Sequence, residues 1–310
     1  MDFISQISEM HDIKKETMKE LRLGDEEVLK KETELRVLSL GAGVQSSYIL
    51  FKMLEGEIKK PDIALFADTG NEPKEVYEWF NKLQKYAKGK IEIEVVRNEQ
   101  NTGNLIDDYK AKEGRYALMP MHILKEDGTS GFGRRTCTYE YKIKPIHQKI
   151  RSILGVKTLR NRVVEMVMGI SIDEIQRAKR PPNKWSINCY PLIENEITRN
   201  DCKHWVSHSD YGNPPRSACI VCPYHSNKEW KKLKDNYPEE WNYAVEFDEY
   251  LRNPNSSGVG LDNFKKNAKG QKSQQFLHTK KIPLSVVNLD TKEEYQGSLF
   301  DDECEGMCGV

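Results

Sequence analysis

The chain has 310 residues, and its 48 Lys and Arg balance its 48 Asp and Glu, so the formal net charge is zero. This balance excludes a protein that presents a uniformly basic surface to nucleic acid or a membrane. Apolar runs such as Ile63–Ala67 are far shorter than the roughly 20 residues of a membrane span, and the acidic N-terminus is unlike a signal peptide. We therefore predict a cytoplasmic protein with no membrane partner.

The predicted elements begin with a peripheral helical arm over 1–34. From residue 35 strands alternate with helices, with strands expected at 36–40, 62–67, 91–96 and 163–170 and helices at 46–54, 73–87, 104–112 and 138–154. This alternation predicts an α/β fold over 35–195, a Rossmann-like parallel sheet with helices on both faces. Ligands of such sheets bind at the carboxyl ends of the strands. The loop 113–135 has the length of a lid or binding loop.

Beyond this domain the alternation stops. The pattern predicts a smaller, mostly helical region with a cysteine motif over 196–252, then a flexible segment and an acidic, cysteine-containing tail over 253–310. Charge is uneven, because residues 132–185 hold 13 Lys or Arg and four Asp or Glu, a net charge of +9. Such a segment favours a polyanionic ligand, either a nucleotide or a nucleic acid, and a solvated helix face is the alternative.

The first motif is the loop that leaves the first strand and opens a helix, Gly41-Ala42-Gly43-Val44-Gln45-Ser46-Ser47. Its glycines would bring backbone N–H groups close to a phosphate, and its serines could cap the helix and donate to phosphate oxygens. The loop lacks the Gly-Lys-Ser/Thr ending of a Walker A motif and the third glycine of the Rossmann fingerprint. A tight turn with no ligand is the alternative interpretation.

A second motif, Asp68-Thr69-Gly70-Asn71-Glu72-Pro73, leaves the second strand. Asp68 could accept a hydrogen bond from a ribose hydroxyl or an adenine amine at the carboxyl end of that strand. Asn71 could cap the next helix, whose first turn suits Pro73. Turn chemistry alone is the alternative.

A third motif, Arg134-Arg135-Thr136-Cys137, is followed by Lys142. The two arginines and Lys142 could bind phosphate or sulfate oxygens, and their charge would lower the pKa of the Cys137 thiol. The alternative is a small core cysteine beside a basic surface helix.

A fourth motif, Gly169-Ile170-Ser171-Ile172-Asp173-Glu174 with Arg177, follows the strand at 163–170. Ser171 and Glu174 have the spacing of a capping box, which explains those two residues structurally. Asp173 and Arg177 are then left for a ligand.

In this order the motifs resemble the PAPS reductase-like family of the PP-loop ATP pyrophosphatase (adenine nucleotide alpha-hydrolase-like) superfamily, found widely in bacteria and phages. The Ser-Gly-Gly-x-Asp-Ser loop of that superfamily corresponds to 41–46, where Gln45 replaces the Asp and removes a charge. The resemblance covers about 35–230 and implies that ATP binds with Mg²⁺. The residues it implies for the nucleotide are Gly41, Ala42, Gly43, Gln45, Ser46, Ser47, Asp68, Arg135, Lys142, Gly169, Asp173 and Arg177.

The cysteines are Cys137, Cys189, Cys202, Cys219, Cys222, Cys304 and Cys308. A cytoplasmic chain keeps thiols reduced, so the clustered spacing indicates metal or redox chemistry rather than disulfides. The Cys219-x2-Cys222 pair suits zinc or an iron–sulfur cluster but needs further ligands. The resemblance favours a [4Fe–4S] cluster with Cys137 as third ligand and one iron open to carry sulfide. The competing set adds Cys202 and His204 and would hold zinc.

The tail cysteines, Cys304 and Cys308, lie among acidic residues that would raise their thiol pKa values. Their context resembles the mobile segment that carries the catalytic cysteine of PAPS reductases, which makes them, with Cys137, candidate catalytic residues. A disordered end or additional cluster ligands are the alternatives.

The leading hypothesis is an enzyme that binds ATP, adenylates an acceptor with release of pyrophosphate and then transfers sulfur. The expected partners are tRNA or DNA as acceptor, bound on the basic segment, a sulfur donor protein and a second copy of the chain in a homo-oligomer. One alternative is a sulfonucleotide (PAPS or APS) reductase in which Cys304 or Cys308 attacks sulfur. Another is a non-catalytic nucleotide-sensing subunit, which Gln45 would suit.

Overall fold

A computed structural model describes residues 31–100, 102–179, 181–268 and 273–290. Two predicted features lie outside the described residues: the helical arm over 1–34, apart from its last four residues, and the tail with Cys304 and Cys308. No helix in the described part of the chain is long and apolar enough to cross a membrane.

The strands of the described chain are β1 (Leu35–Ser39), β2 (Ile63–Ala67), β3 (Ile93–Val96), β4 (His122–Lys125), β5 (Ser130–Phe132), β6 (Val164–Val167), β7 (Ser186–Cys189) and β8 (Ser273–Phe276). The helices are α1 (Val44–Glu55), α2 (Lys74–Ala87), α3 (Leu105–Lys110), α4 (Lys144–Ile153), α5 (Pro191–Glu194), α6 (Arg199–Ser207), α7 (Asn227–Asn236), α8 (Pro238–Tyr250) and α9 (Val259–Asn267). A π-helical segment, Tyr139–Ile143, leads into α4, and a 3-10 helix, Ile172–Arg177, follows β6.

Five strands form one parallel sheet in the order β3-β2-β1-β6-β7. Every residue of β2 is buried, as expected for a parallel sheet covered on both faces. Leu38 of β1 packs with α1, α2 and α6 on one face, whereas Val37 packs with Ile146 and Ile150 of α4 on the other. The predicted α/β fold with a Rossmann-like parallel sheet is therefore confirmed.

The strand order reverses between β1 and β6. The chain proceeds from β1 to β2 and β3 on one side and later returns to β6 on the other side of β1. Ligands of open α/β sheets bind at the carboxyl ends of the strands at such a switch point. The loops 40–43 and 168–171 meet there, so the topology brings the first and fourth motifs together.

A second sheet joins the middle of the chain to its C-terminal part. The loop predicted over 113–135 contains the hairpin β4–β5, and β8 pairs with β4 in antiparallel register, His122 opposite Phe276. The prediction that 253–310 is flexible is wrong for its described part, which contains α9 and β8. These strands are only three or four residues long, so local pattern does not reveal their pairing.

A second core, called here the cysteine core, surrounds Cys219 and Cys222 and includes residues of α3, α7 and α8. The smaller region is therefore not the continuous 196–252 that the sequence predicts. Helix α6 packs on α1 through Cys202 and Val206 and belongs to the sheet, whereas α3, from the middle of the first domain, belongs to the cysteine core.

Candidate active site

The N-terminus of α1 lies at the carboxyl end of β1. Gly43 is the N-cap residue and provides no side-chain hydrogen bond, and no acidic side chain lies in the first turn. Ala42 before it has φ of 57°, a conformation uncommon for a residue other than glycine. The loop thus presents a helix N-terminus without a side-chain cap, and the positive end of the helix dipole favours an anion there.

Gly169, in the loop after β6, lies directly against this helix N-terminus. A Cβ atom at residue 169 would come within 2.9 Å of the backbone nitrogen of Ser46. We expect Gly169→Ala to force the two backbones apart and to lower the free energy of unfolding by about 1–3 kcal/mol. Urea denaturation measures this loss.

Gly131→Ala is the matched control, because its new Cβ would meet only Ile123 at an ordinary 3.8 Å. The control should change the free energy of unfolding by less than about 0.5 kcal/mol. Equal stability of the two alanine variants would contradict the close approach of Gly169 to α1.

A buried polar network lies behind the first turn of α1. The Nε2 of Gln45 donates to the Ser171 hydroxyl at 3.1 Å and to Glu174 Oε2 at 2.9 Å. The Glu174 carboxylate also pairs with Arg177 at 2.5 Å and with Arg199 at 3.3 Å. The capping box predicted for Ser171 and Glu174 is wrong, since Ser171 caps nothing with its side chain and both residues bind Gln45 instead.

Two side chains predicted to bind the nucleotide instead stabilise the fold. The buried Ser47 hydroxyl accepts a hydrogen bond from the indole N–H of Trp79 at 2.9 Å. The Asp173 carboxylate accepts one from the backbone N–H of Arg199 at 3.0 Å, where α6 begins.

Asp68 is fully buried and its two carboxylate oxygens are engaged. Oδ1 accepts from the Tyr77 hydroxyl at 2.7 Å, and Oδ2 accepts from Arg97 at 2.5 and 2.9 Å. Burial and the Asp68 carboxylate raise the pKa of Tyr77. A ribose or adenine group would have to displace one of these partners to reach the predicted Asp68 contact.

The second motif, the third motif and the Cys219-x2-Cys222 pair meet at Glu72. Its Oε1 lies 3.2 Å from the Thr69 hydroxyl, 3.5 Å from Lys142 Nζ and 3.8 Å from the Cys219 sulfur. The Thr69 hydroxyl and the Cys219 sulfur are themselves 3.3 Å apart. Lys142, predicted to bind phosphate, is therefore held beside the helix N-terminus by a buried carboxylate.

A small cavity of about 10 Å³, with room for about one water molecule, is lined by Lys142, Glu72 and Gly41. Ser217 also lines it, and its buried hydroxyl has no hydrogen-bond partner in the described part of the chain. Lys142, Ser217 and the helix N-terminus offer donors that suit a phosphate, but the cavity must widen to admit one. A whole nucleotide needs several hundred Å³, so its binding requires side chains such as Lys142 to move.

The cysteine loop is tied to the second motif through Asn71. Its side-chain Nδ2 donates to the Tyr243 hydroxyl at 2.9 Å, and its backbone carbonyl oxygen accepts from the backbone N–H of Ile220 at 2.8 Å. Asn71 does not cap α2 as predicted, since Pro73 is the N-cap residue. The contacts of Asn71 instead place Cys219 close to the carboxyl end of β2.

Cys137 packs against the cysteine core that contains Cys219 and Cys222. The guanidinium of Arg135 lies 5.5 Å from the ring centre of Tyr224, two residues after Cys222, so this predicted phosphate ligand adds positive charge beside the thiols instead. In the described residues no group of three or more His, Cys, Asp or Glu has the geometry to hold one metal ion. Thiolates are ligands of both iron–sulfur clusters and zinc, and the carboxylate of Glu72 lies 3.8 Å from the Cys219 sulfur.

Cys202 does not approach these thiols. It is fully buried between α6 and α1 in the core on one face of the sheet, whereas Cys219 and Cys222 lie in the cysteine core. The structure therefore does not bring together the predicted zinc set of Cys202, His204, Cys219 and Cys222.

No family model matches this sequence, and no curated protein matches it either. The structure resembles PAPS reductase from Candida auris, with 14% identity over 62% of this chain and 82% of that chain and a TM-score of 0.36. It also resembles a U34-tRNA thiolase from Methanococcus maripaludis, solved with its [4Fe–4S] cluster, with 16% identity over 82% and 89% of the two chains and a TM-score of 0.34.

Proposed function

We propose that the chain is a PAPS reductase-like, PP-loop enzyme that uses ATP to adenylate an acceptor, releases pyrophosphate and transfers sulfur to the acceptor. The observation that carries this proposal is the meeting of four separate motifs at the carboxyl ends of β1 and β2. Gly41 in the loop before α1, Lys142 and Glu72 line one small cavity, and the sulfur of Cys219 lies 3.8 Å from Glu72. A phosphate-binding site next to a thiol suits a reaction in which ATP first activates the acceptor and a sulfur nucleophile then attacks the activated acceptor.

The N-terminus of α1 and Lys142 would bind the phosphates of ATP, with the Lys142 ammonium leaving Glu72 to do so. An acceptor oxygen would attack the α-phosphorus and break its bond to pyrophosphate, and a sulfur nucleophile would then displace AMP. Magnesium bound with the nucleotide would neutralise the charge that develops on the phosphates. Cys137, Cys219 and Cys222 would hold an iron–sulfur cluster, which would supply the sulfur.

We propose tRNA or DNA as the acceptor, because 132–185 carries a net charge of +9 in a chain whose overall charge is zero. A sulfur donor protein and a homo-oligomeric state belong to the same proposal. A location in the cytoplasm, where thiols stay reduced, would suit the cysteines of the described chain, which form no disulfide with one another.

The test is pyrophosphate release from ATP and Mg²⁺, with and without tRNA or DNA. We expect Lys142→Ala to lower the rate by about 100-fold, since it removes a charge aimed at the transferred phosphate. Lys144→Ala is the matched control, because Lys144 binds Gln100 and Glu140 away from the cavity.

Equal rates in the two lysine variants would contradict the assignment of Lys142. ATP binding without any turnover would favour the nucleotide-sensing subunit instead. Reduction of PAPS or APS without pyrophosphate release from ATP would favour the sulfonucleotide reductase.

A further inference from the structure

A basic groove of about 630 Å³ lies on the outer side of α4, away from the cavity beside Gly41. None of the described residues that line it is an Asp or a Glu. The side chains that matter here are Tyr139, His147, Arg151, Lys157, Arg160 and Lys184. A groove of this size with only positive charges along it suits an extended anion rather than a single phosphate.

The groove runs along α4 from the amino ends of the strands to Tyr139. Its loops, 157–161 and 183–185, come just before β6 and β7 and so lie at the amino ends of the strands. Tyr139, at its other end, follows Cys137 by two residues. The helical rise from Tyr139 to Arg151 is about 18 Å, which matches about five stacked nucleotides of one strand.

Three cations of the groove form no ion pair with the described residues. These are Arg151, Lys157 and Arg160, whereas Lys149 and Arg162 nearby are paired with Glu94 and Glu34. Burial, and secondly Arg151, lower the pKa of His147 to about 4, so that its ring is neutral at pH 7. The attraction for an anion therefore comes from the arginines and lysines.

The groove also offers an aromatic surface. Tyr139 is 50% exposed, and Trp185 contacts the edge of the His147 ring at a centroid distance of 4.8 Å. An exposed aromatic ring such as that of Tyr139, beside a basic track, binds an unpaired base by stacking, which a duplex does not allow.

We infer that this groove binds the backbone of single-stranded nucleic acid, with one of its bases stacked on Tyr139. This inference rests on the proposed function, because it assigns the acceptor a surface. Arg151, Lys157 and Arg160 contact successive phosphates, and Tyr139 contacts a base.

The test is fluorescence anisotropy of labelled 12-nucleotide RNA and DNA, single-stranded and duplex, at several salt concentrations. We expect the variant Arg151→Glu/Lys157→Glu/Arg160→Glu to bind single strands at least about tenfold more weakly. The slope of log affinity against log salt should fall in magnitude by about 2, because three phosphate contacts are lost. Tyr139→Ala should weaken binding about tenfold without changing the slope.

The matched control is Lys59→Glu/Lys60→Glu/Lys90→Glu, which changes three exposed lysines before β2 and β3 and alters the net charge equally. It should bind as the wild type does, and thermal melting shows whether each variant is folded. Equal weakening in both triple variants, unchanged binding in the groove variant or equally tight duplex binding would overturn the inference.

Pyrophosphate release from ATP alone is measured in the same samples. If the protein releases pyrophosphate but its nucleic-acid binding does not depend on the groove residues, only the assignment of the groove is overturned. Binding that depends on the groove, in a protein that releases no pyrophosphate, would overturn only the proposed reaction.

Discussion

We expect the Cys137→Ser variant, purified without oxygen, to contain no iron–sulfur cluster, whereas the wild type should contain about four irons and four sulfides per chain. Cys137 packs against the same core as Cys219 and Cys222, and these two thiolates alone cannot close a site. The measurement is iron and sulfide analysis together with the broad absorbance of such clusters near about 400 nm. Far-UV circular dichroism would show that the colourless variant is folded.

Cys202→Ser is the matched control for this experiment. Cys202 is fully buried, but it packs between α6 and α1 in the core against the sheet and not in the cysteine core. This variant should keep its iron. Wild-type protein with about one zinc and no iron, and loss of that zinc on Cys202→Ser, would contradict the cluster and favour the zinc set.

The parallel sheet could be predicted because its strands are buried on both faces and read as short apolar runs separated by amphipathic helices. Ile63–Ala67 is the clearest case, since all five residues are apolar and all are buried in β2. The second sheet could not be predicted, because β8 consists of Ser273–Phe276, whose composition is polar and whose partner β4 lies far away in the sequence. Its position depends on tertiary contacts alone.

The candidate site was predictable as a set of loops but not as a set of contacts. The motif 68–73 indicates a turn at the carboxyl end of a strand, and in the structure it directly follows β2. Glu72 within it had no assigned role, although it binds Thr69, Lys142 and Cys219. The spacing Thr69-x-x-Glu72 was a local signal, but the other two partners become neighbours only when the chain folds.

Gln45 stands where the family resemblance places an aspartate, and its contacts give a physical reason for this departure. Its Nε2 donates to Glu174 at 2.9 Å, and both side chains are buried. A carboxylate at position 45 would face the Glu174 carboxylate at this distance, where two like charges repel strongly because little water screens them. The amide lets a first-turn side chain of α1 bind the loop after β6.

We therefore expect Gln45→Glu, which keeps the shape and adds a charge, to lower the free energy of unfolding by about 3 kcal/mol in urea denaturation. Glu174→Gln should cost a similar amount, since Arg177 and Arg199 lose the carboxylate that each of them contacts. The double variant Gln45→Glu/Glu174→Gln restores one amide and one carboxylate, so we expect it to recover about 1–3 kcal/mol relative to the sum of the single variants. Strictly additive losses would show that the two side chains do not interact, and the amide at position 45 would then need another explanation. Recovery would mean that the N-terminus of α1 is held at the switch point of the sheet by a buried amide–carboxylate pair.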